Sequence, residues 1–486
     1  MRYLLSLSFV VCILQQVRSQ NEFSSFNLTG HGQVTTWSTD YQSVGINPAN
    51  LDIPSRHEGK RYAVGFGEFG VSVFSGALSK DEVRKNIKRD DFQDLTLEQK
   101  LFYANEFSTN ANSADLDVLG VGYSMRTNKL GSFGFAMRDR ADFYSQFSPK
   151  LSELLWMGYN SSYFTDWILS TGDTIPFNPS ISPDSLALVI KGINDLNASS
   201  LSEILTGSTL RFSWVREFNL SYGKMLYSNE NLRVFGGVGA KYLVGQGYMQ
   251  ISTEGGNVSS FSALSPLFSI DYSQISQGNP SSLPDDAPSL TPVGRGWGFD
   301  FGATVIIKDK LMISAALNDV GSMTWDGNVY SLQDIDFVES ISQGIGSLDL
   351  LDQVETLNGN DGLVKWQGQE KLTVALPAMY RAGISYQFHE KIRAGVDIMN
   401  SLNNQVGSLE KAFISVGTEI RPVSWLILSA GYATGGNYES KIPAGITFCI
   451  RDGGYELGVA SRDMITFFTR NQPTLSMAFG FMRFRF

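Results

Sequence analysis

The chain closes on Met482-Arg483-Phe484-Arg485-Phe486, a stretch in which apolar and charged side chains alternate. Successive side chains of a β-strand point to opposite faces, so the three apolar residues share one face and the two arginines share the other. This pattern is typical of a transmembrane β-barrel strand, which meets lipid on one face and a polar lumen on the other. A half-buried edge strand of a soluble sheet would alternate in the same way. The rest of the chain has to decide between these two interpretations.

The same alternation recurs along the chain, and glycines gather on its polar face. In residues 297–308 every odd-numbered side chain is apolar, whereas the even-numbered positions hold mainly glycine or polar residues such as Asp300. Residues 119–126, 392–398 and 455–462 follow the same pattern. The polar face of a soluble sandwich rarely carries so many glycines, whereas small inward side chains suit a lumen that holds a plug or a ligand. This distribution favours the barrel.

Counting these segments predicts an all-β fold, a transmembrane up-and-down antiparallel β-barrel of about 14 strands with an N-terminal hatch in its lumen. The predicted strands span residues 60–76, 115–126, 132–145, 209–227, 231–250, 295–308, 311–325, 371–388, 391–401, 410–421, 424–433, 441–450, 454–463 and 474–486. Tight connections alternate without exception with longer ones, of which the largest are 77–114, 146–208, 251–294 and 326–370. Short periplasmic turns and long extracellular loops are typical of bacterial barrels, so both strand-bearing ends are expected on the periplasmic side.

The N-terminus and the composition agree with an exported membrane barrel. Arg2 and an apolar stretch over residues 4–14 have the pattern of a signal peptide, with cleavage predicted after Ser19. Glycine makes up 48 of 486 residues and aromatic residues 12%, yet the mean hydropathy is only −0.08. The net charge of −10 argues against a nucleic-acid partner. The predicted organisation is a signal peptide (1–19), a hatch (20–59) and a barrel (60–486).

The long loops carry helical and aromatic segments. Residues 80–110 have apolar side chains at roughly helical spacing. The loop 146–208 is rich in aromatic residues, among which we single out Trp156, Tyr159, Phe164 and Trp167. These side chains either pack the loop onto itself and its neighbours, or form an apolar surface that captures a ligand or docks a protein.

Few residues are candidates for catalysis or for binding a cofactor or a metal. Gly65, Gly67 and Gly70 spell a nucleotide-binding pattern, but no helix follows, so small residues facing a hatch explain them better. His31 is the one candidate for a catalytic base, and a satisfied polar residue in the plug is the simpler interpretation. Cys449, the one cysteine of the predicted mature chain, is expected to face the lumen and pack against the plug. We therefore predict no enzyme, no cofactor and no metal site; the other histidines, His57 and His389, lie in the hatch and in a tight turn.

Short motifs resemble one family of membrane barrels. The hatch region contains Asn47-Pro48-Ala49, and later segments read Gly-Arg-Gly-Trp-Gly-Phe-Asp-Phe-Gly-Ala over 294–303 and Leu-Asn-Asp-Val-Gly over 317–321. In these motifs the chain resembles the FadL-type outer-membrane transporters and their Bacteroidota relatives, including the PorV-like branch. The resemblance implies a hatch built around Asn47, Pro48 and Ala49 inside a 14-stranded barrel.

The resemblance also carries functional expectations. A FadL-like protein would be a passive transporter of hydrophobic or amphipathic small molecules, with Trp156, Tyr159, Phe164 and Trp167 as the capturing residues. A PorV-like protein would instead be a non-transporting accessory barrel that binds surface or secreted proteins. The terminal Phe486 resembles the signal read by the outer-membrane assembly machinery. The expected location is the bacterial outer membrane, with its lipid as a partner.

Overall fold

A computed structural model of the chain describes most of the predicted hatch and barrel. The described residues are 26–32, 34–54, 59–78, 95–127, 129–254, 257–268, 283–284, 286–345, 366–409, 411–436, 438–464 and 474–486. The predicted signal peptide 1–19 and His57 lie outside them. Within the described residues, no helix is long and apolar enough to cross a membrane.

Fourteen antiparallel strands close into a barrel. They are β1 (Tyr62–Ser75), β2 (Asn112–Arg126), β3 (Ser132–Gln146), β4 (Thr209–Ser228), β5 (Leu232–Glu254), β6 (Gly294–Ile307), β7 (Leu311–Trp325), β8 (Met379–His389), β9 (Ile392–Ser401), β10 (Phe413–Val423), β11 (Leu426–Gly435), β12 (Ala444–Ile450), β13 (Tyr455–Ser461) and β14 (Thr474–Arg485). Each strand pairs with its neighbour in sequence, and β14 closes the barrel on β1 from Ala63↔Arg485 to Phe74↔Thr474. The predicted fold class is confirmed.

Two predicted strands are interrupted where a proline stands. Leu372–Ala375 and β8 both pair with β7, and the break between them contains Pro377. Tyr438–Lys441 and β12 both pair with β11, and Pro443 lies in that break. Proline has no N–H to donate to the ladder, so it interrupts a strand that the alternation of side chains alone would continue.

The side chains of the wall alternate as the C-terminal strand predicts. Phe484 is 40% exposed on the outside of the barrel, whereas its neighbour Arg483 is 1% exposed in the lumen. On β6 the outward Trp297, Phe299 and Phe301 are exposed, and Asp300 between them is fully buried. An apolar outer face around a charged interior is the surface of a membrane barrel, so the protein is an integral outer-membrane barrel.

The long connections fold into a cap at the end opposite the short turns. Besides α1 (Phe26–Thr29) in the hatch, the described helices are α2 (Leu97–Thr109), α3 (Pro149–Met157), α4 (Pro183–Leu186) and α5 (Leu201–Leu205), with 3-10 turns at Asp40–Ser43, Pro48–Asp52, Gly158–Asn160 and Pro266–Phe268. The further strands are Asp166–Leu169, Thr174–Pro176, Val189–Ile193, Asn257–Leu264, Val329–Leu332, Glu339–Ser340 and Trp366–Gly368. The helix predicted within 80–110 is present as α2, which begins at a capping box between Thr96 and Gln99.

The cap has its own apolar core. Phe107 of α2, Leu154 of α3 and Leu205 of α5 are almost fully buried in one cluster. Phe143 of β3 and Phe212 of β4 pack against this cluster. Both side chains lie on the outward face of the wall, because Asp142 and Arg211 beside them are buried on the lumen side. The cap therefore covers the outside of the strands where they extend beyond the lipid-facing band.

A charge placed on the lipid-facing band tests this architecture. Phe301→Arg puts a cation on the outer face near the middle of β6, which is expected to destabilise the barrel by about 2–4 kcal/mol. Phe301→Leu serves as the control because it keeps the site apolar. The measurement is the folded fraction in lipid bilayers against urea, and equal stability of the two variants would contradict a lipid-facing Phe301.

Candidate functional site: the plugged lumen

The predicted hatch lies inside the barrel as a plug, defined here as residues 26–54. Asn47 and Ala49 of the predicted hatch motif are fully buried, and Pro48 is the first residue of a 3-10 turn. The Asn47 side chain accepts a hydrogen bond from the Ala49 N–H at 3.2 Å, which caps this turn. Its Nδ2 donates to Thr304 Oγ1 on β6 at 3.1 Å. The motif thus shapes the plug and fixes it to the wall.

Glycines of three adjacent strands form the seat of this motif. A Cβ added at Gly302 would lie 2.1 Å from Asn47 Oδ1, and one at Gly237 would lie 2.4 Å from the Ala49 nitrogen. A Cβ at Gly223 would lie 2.4 Å from the Pro48 oxygen. These positions require glycine because atoms of the plug turn, from its backbone at Gly223 and Gly237 and from the Asn47 side chain at Gly302, approach the wall too closely for any side chain.

A second glycine pair receives an aromatic ring of the plug. Gly65 of β1 and Gly122 of β2 face each other, and Cβ atoms there would lie 2.1 and 2.3 Å from the Tyr41 side chain. The prediction that small residues face the hatch is therefore confirmed for Gly65. Gly67 instead has a φ of 61°, a backbone conformation that favours glycine, and the pairing of β1 with both neighbours skips it without a change of register.

Carboxylates hold the plug on the opposite side of the lumen. Asp40 of the plug pairs with Arg483 at 2.7 Å and Arg485 at 2.9 Å, both on β14. His31 Nε2 lies 3.0 Å from Glu419 Oε2 on β10, so this ring nitrogen of the plug has a polar partner on the wall. Asp397 on β9 accepts hydrogen bonds from two consecutive plug N–H groups, at 2.5 and 2.8 Å.

Charged side chains fill the middle of the lumen, on the β3–β7 side. This charged layer consists of Arg140, Glu217, Lys241, Asp300 and Asp319. Lys241 is 0% exposed and lies 3.1 Å from Asp300 and 2.5 Å from Asp319. Arg140 lies 2.5 Å from Glu217 and 3.5 Å from Asp319. Ion pairing within the layer offsets the cost of burying these charges.

The charged layer also contacts the plug. Asn318 Nδ2 donates to the carbonyl oxygens of Gly45 and Ile46 at 3.2 and 3.1 Å, and to Asp300 at 3.3 Å. The plug is therefore coupled to the ion pairs through one amide. Our sequence reasoning did not single out this layer, although charged residues at inward positions of β3, β5 and β7 were a signal for it.

An apolar layer lies in the lumen on the cap side of the charged layer. Its buried members are Leu243, Tyr248, Ala263, Val293, Met323, Trp325, Val329, Leu376 and Val406. Leu243 and Met323 come from the same inward faces of β5 and β7 that carry Lys241 and Asp319. The lumen is thus built in levels, with the plug at the short-turn end, the charged layer above it and the apolar layer nearest the cap.

A cavity of about 280 Å³ lies at the short-turn end, between the plug and the wall. Leu51 and Ile306 contribute apolar side chains to its lining, and Arg126, Lys310 and Arg421 contribute cations. Cys449 is buried nearby, and its Sγ lies 3.6 Å from Glu456 Oε1. The thiol thus has a wall residue as its polar neighbour.

The predicted capture residues lie in the cap. Trp156 and Phe164 belong to the cap core that covers the outer face of the wall, and Tyr159 and Trp167 form a smaller cluster beside it. All four are at most 7% exposed, so the structure brings them together as packing residues, and none belongs to the apolar layer of the lumen. Tyr163 nearby donates to the Phe337 carbonyl oxygen at 2.7 Å, and burial raises the pKa of its hydroxyl.

Comparison with known proteins places the chain in a family. A sequence family described as a family of unknown function, DUF5723, matches residues 177–452, more than half of the chain. This chain belongs to the DUF5723 family. The matched region contains β4 to β12, and therefore Lys241, Asp300 and Asp319 of the charged layer, whereas the plug lies outside it. No curated protein sequence matches this DUF5723 protein.

Solved structures similar to this DUF5723 barrel include hydrocarbon transporters. The Pseudomonas putida toluene transporter TodX has a TM-score of 0.45 and 11% identity, over 97% of this chain and 99% of that chain. The Ralstonia pickettii toluene transporter TbuX has a TM-score of 0.45 and 10% identity, over 96% and 99%. A Pseudomonas aeruginosa FadL homologue has a TM-score of 0.37 and 12% identity, over 96% and 97%. The similar structures thus include a homologue of FadL, the family that the sequence resembles.

The seat of the plug in this DUF5723 protein predicts the effect of one added side chain. Gly302→Val is expected to displace the Asn47 turn, because the space for a Cβ is occupied by Asn47 Oδ1. The measurement is ion conductance across a planar bilayer, which should rise when the plug is displaced. Ala303→Val places the same side chain on the outward face of β6 and should leave conductance unchanged. If the Gly302→Val barrel conducts no more than the control, the plug turn does not depend on its close contact with Gly302.

The charged layer predicts a large stability effect. Lys241→Met leaves Asp300 and Asp319 without their shared cation and is expected to destabilise the barrel by about 3–5 kcal/mol. Lys310→Met removes a lysine from an exposed turn and should be nearly neutral. Urea unfolding of the two variants in the same bilayer compares them directly. If Lys241→Met is as stable as Lys310→Met, this lysine does not stabilise the charged layer.

Proposed function

We propose that this protein is a passive transporter of hydrophobic or amphipathic small molecules across the outer membrane. The observation that carries the proposal is the apolar layer in the lumen. Lumens of membrane barrels are polar as a rule, whereas pockets for apolar ligands are lined by hydrophobic and aromatic side chains. Tyr248, Met323 and Trp325 supply such a lining on the inward face of the wall.

The levels of the lumen suggest a sequence of steps. An apolar molecule that reaches the apolar layer meets the buried ion pairs of Lys241 and Arg140 and then the plug. Release towards the periplasm therefore needs a shift of the plug or a gap in the wall. The plug turn at Asn47, Pro48 and Ala49 would stay in place during such a shift, because the hydrogen bond from Asn47 to Thr304 fixes it to β6. Diffusion would drive the process.

Capture by the aromatic residues of the loop 146–208 remains a prediction. Trp156, Tyr159, Phe164 and Trp167 are buried in the cap, so a role in capture requires the cap to open. Trp156 packs against Tyr103 and Phe107 of α2, Phe164 against Phe337 and Trp167 against Phe177, and this packing explains their presence without a ligand. The apolar layer is therefore the better place to test transport.

One observation favours the second candidate function, a non-transporting accessory barrel that binds surface or secreted proteins. The cap forms a packed unit with its own core, and it leaves large apolar side chains on its surface, including Phe102, Ile190 and Leu196. Exposed apolar side chains of this size are common in protein-binding surfaces. An accessory barrel would use the cap as its binding unit and would have no need of the lumen.

A change of polarity in the apolar layer separates the two functions. Met323→Gln keeps the size of the side chain but buries an amide, so uptake of a hydrophobic fluorescent probe into proteoliposomes should slow by about tenfold. Met323→Leu is the matched control and should transport as the wild type does. Heat-modifiable migration on gels verifies that both variants are folded.

Probe uptake by the wild-type protein distinguishes the two candidate functions. Probe uptake above that of protein-free liposomes, together with slow uptake by Met323→Gln, supports transport. If wild-type liposomes take up no more probe than empty ones, and a protein companion co-purifies from native membranes in equal amount, the barrel is an accessory protein. If Met323→Gln takes up the probe as fast as the wild type does, the apolar layer is not part of the transport path.

A further inference from the structure

Three charged side chains point outward from neighbouring strands on one side of the barrel. They are Asp139 of β3, Arg216 of β4 and Arg295 of β6. The outward orientation of Arg295 follows from the alternation in β6, where it is exposed between two buried glycines. Asp139 and Arg216 lie between inward residues that are buried in the lumen, such as Arg138 and Glu217. A charge on the lipid-facing side of a barrel is unfavourable except near the membrane interfaces, so these three residues need an explanation.

The three residues lie on a single row across the sheet. Asp139 is opposite Arg216, Arg216 is opposite Val244, and Val244 is opposite Arg295. Neighbouring strands are about 4.8 Å apart, so the backbones at Arg216 and Arg295 are separated by about 10 Å. The Arg216 guanidinium lies 3.1 Å from Asp139, yet its side chain remains 38% exposed. Among the described residues Arg295 has no ion-pair partner, so the row carries a net positive charge.

The row marks the boundary between the lipid-facing wall and the cap. On the cap side of it, Phe212 packs against the cap core, and Phe268 of the cap lies over Trp214 with ring centroids 6.2 Å apart. On the other side, the rings of Tyr242 and Trp297 lie 5.1 Å apart on the outer face, and Trp297 is 57% exposed. Aromatic side chains of this kind form the girdles at the interfaces of membrane barrels. The cap end is the extracellular end, so the row lies at the headgroup level of the outer leaflet.

We propose that Arg216 and Arg295 bind the phosphate groups of a lipid of the outer leaflet, the phosphorylated glycolipid lipid A. A guanidinium donates paired N–H groups that match phosphate oxygens, and two of them about 10 Å apart can engage two phosphates of one headgroup. Asp139 orients Arg216 through its carboxylate, which also accepts from the Trp214 ring N–H at 3.4 Å. The exposed faces of Tyr242 and Trp297 lie where acyl chains begin. This site is independent of the transport proposed above.

The test uses the full-length protein in mild detergent after removal of its native lipid. The protein is titrated with lipid A, with lipid A lacking both phosphates and with inorganic phosphate, and the midpoint of thermal unfolding is followed. Lipid A should raise the midpoint, and Arg216→Gln/Arg295→Gln should weaken its apparent affinity by about 30-fold, as expected for the loss of two interfacial cations. Arg233→Gln is the control, because Arg233 pairs with Asp309 at the short-turn end.

Each outcome has a defined meaning. A response to lipid A that the double glutamine variant loses and Arg233→Gln keeps supports the site. The triple variant Asp139→Asn/Arg216→Gln/Arg295→Gln also removes the carboxylate that the loss of Arg216 would leave unpaired. An unchanged lipid A affinity in this variant overturns the proposal. An equal response to the dephosphorylated glycolipid overturns it as well, because the acyl chains alone would then bind. Protection by inorganic phosphate to the same extent would show a free-anion site and would also overturn the lipid assignment.

Discussion

Closure of β14 onto β1 is the interaction on which the rest of the structure depends. In the hydrocarbon region no water satisfies backbone N–H and C=O groups, so a sheet that spans the membrane must have no open edge. The pairing from Ala63↔Arg485 to Phe74↔Thr474 removes the two edges that fourteen strands would otherwise present. Once the sheet is closed, every wall residue faces either the lumen or the outside, where lipid or the cap covers it, and the alternation in each strand becomes obligatory.

Closure creates a lumen whose interior must be filled or hydrated. The wall sends charged residues inward, and the described ones pair with each other or with the plug, as Lys241 does with Asp319 and Arg483 with Asp40. A buried charge that loses its partner is strongly destabilising, so the plug and the ion pairs stabilise each other's position. The glycines at 223, 237 and 302 are also needed, because they leave room for the plug turn against the wall.

The sequence allowed the wall to be predicted strand by strand, because alternation and turn spacing are local properties. The predicted strands differ from the structure at Pro377 and Pro443, where a missing N–H breaks a strand whose side chains still alternate. The position of the plug was predictable only as a region. Which glycines receive it depends on contacts that local patterns do not show, and Asp397 binds two plug N–H groups some 360 positions away.

The cap was the least predictable part, for a related reason. Aromatic residues such as Trp156 and Phe164 look the same in sequence whether they capture a ligand or fill a core, since both roles require apolar surface. The difference lies in what surrounds them, and here Tyr103 and Phe107 of α2 pack against Trp156 while Phe337 packs against Phe164. The charged row at Asp139, Arg216 and Arg295 was missed in the same way, because each charge alone interrupts an apolar pattern and only the register places them side by side.

Two kinds of contact hold the plug in the lumen, and they constrain differently how the lumen can open. Against β4, β5 and β6 the Asn47-Pro48-Ala49 turn lies directly on glycine, so any movement of that turn opens a void between closely packed atoms. Against β9, β10 and β14 it is held by side chains that carry charge, namely Asp397, Glu419 and Arg483. Water and counter-ions can replace charged partners, but nothing replaces lost close packing. A movement that hydrates the charged side while the glycine seat stays intact is therefore the least unfavourable way to open the lumen, with the Asn47 turn as its fixed point.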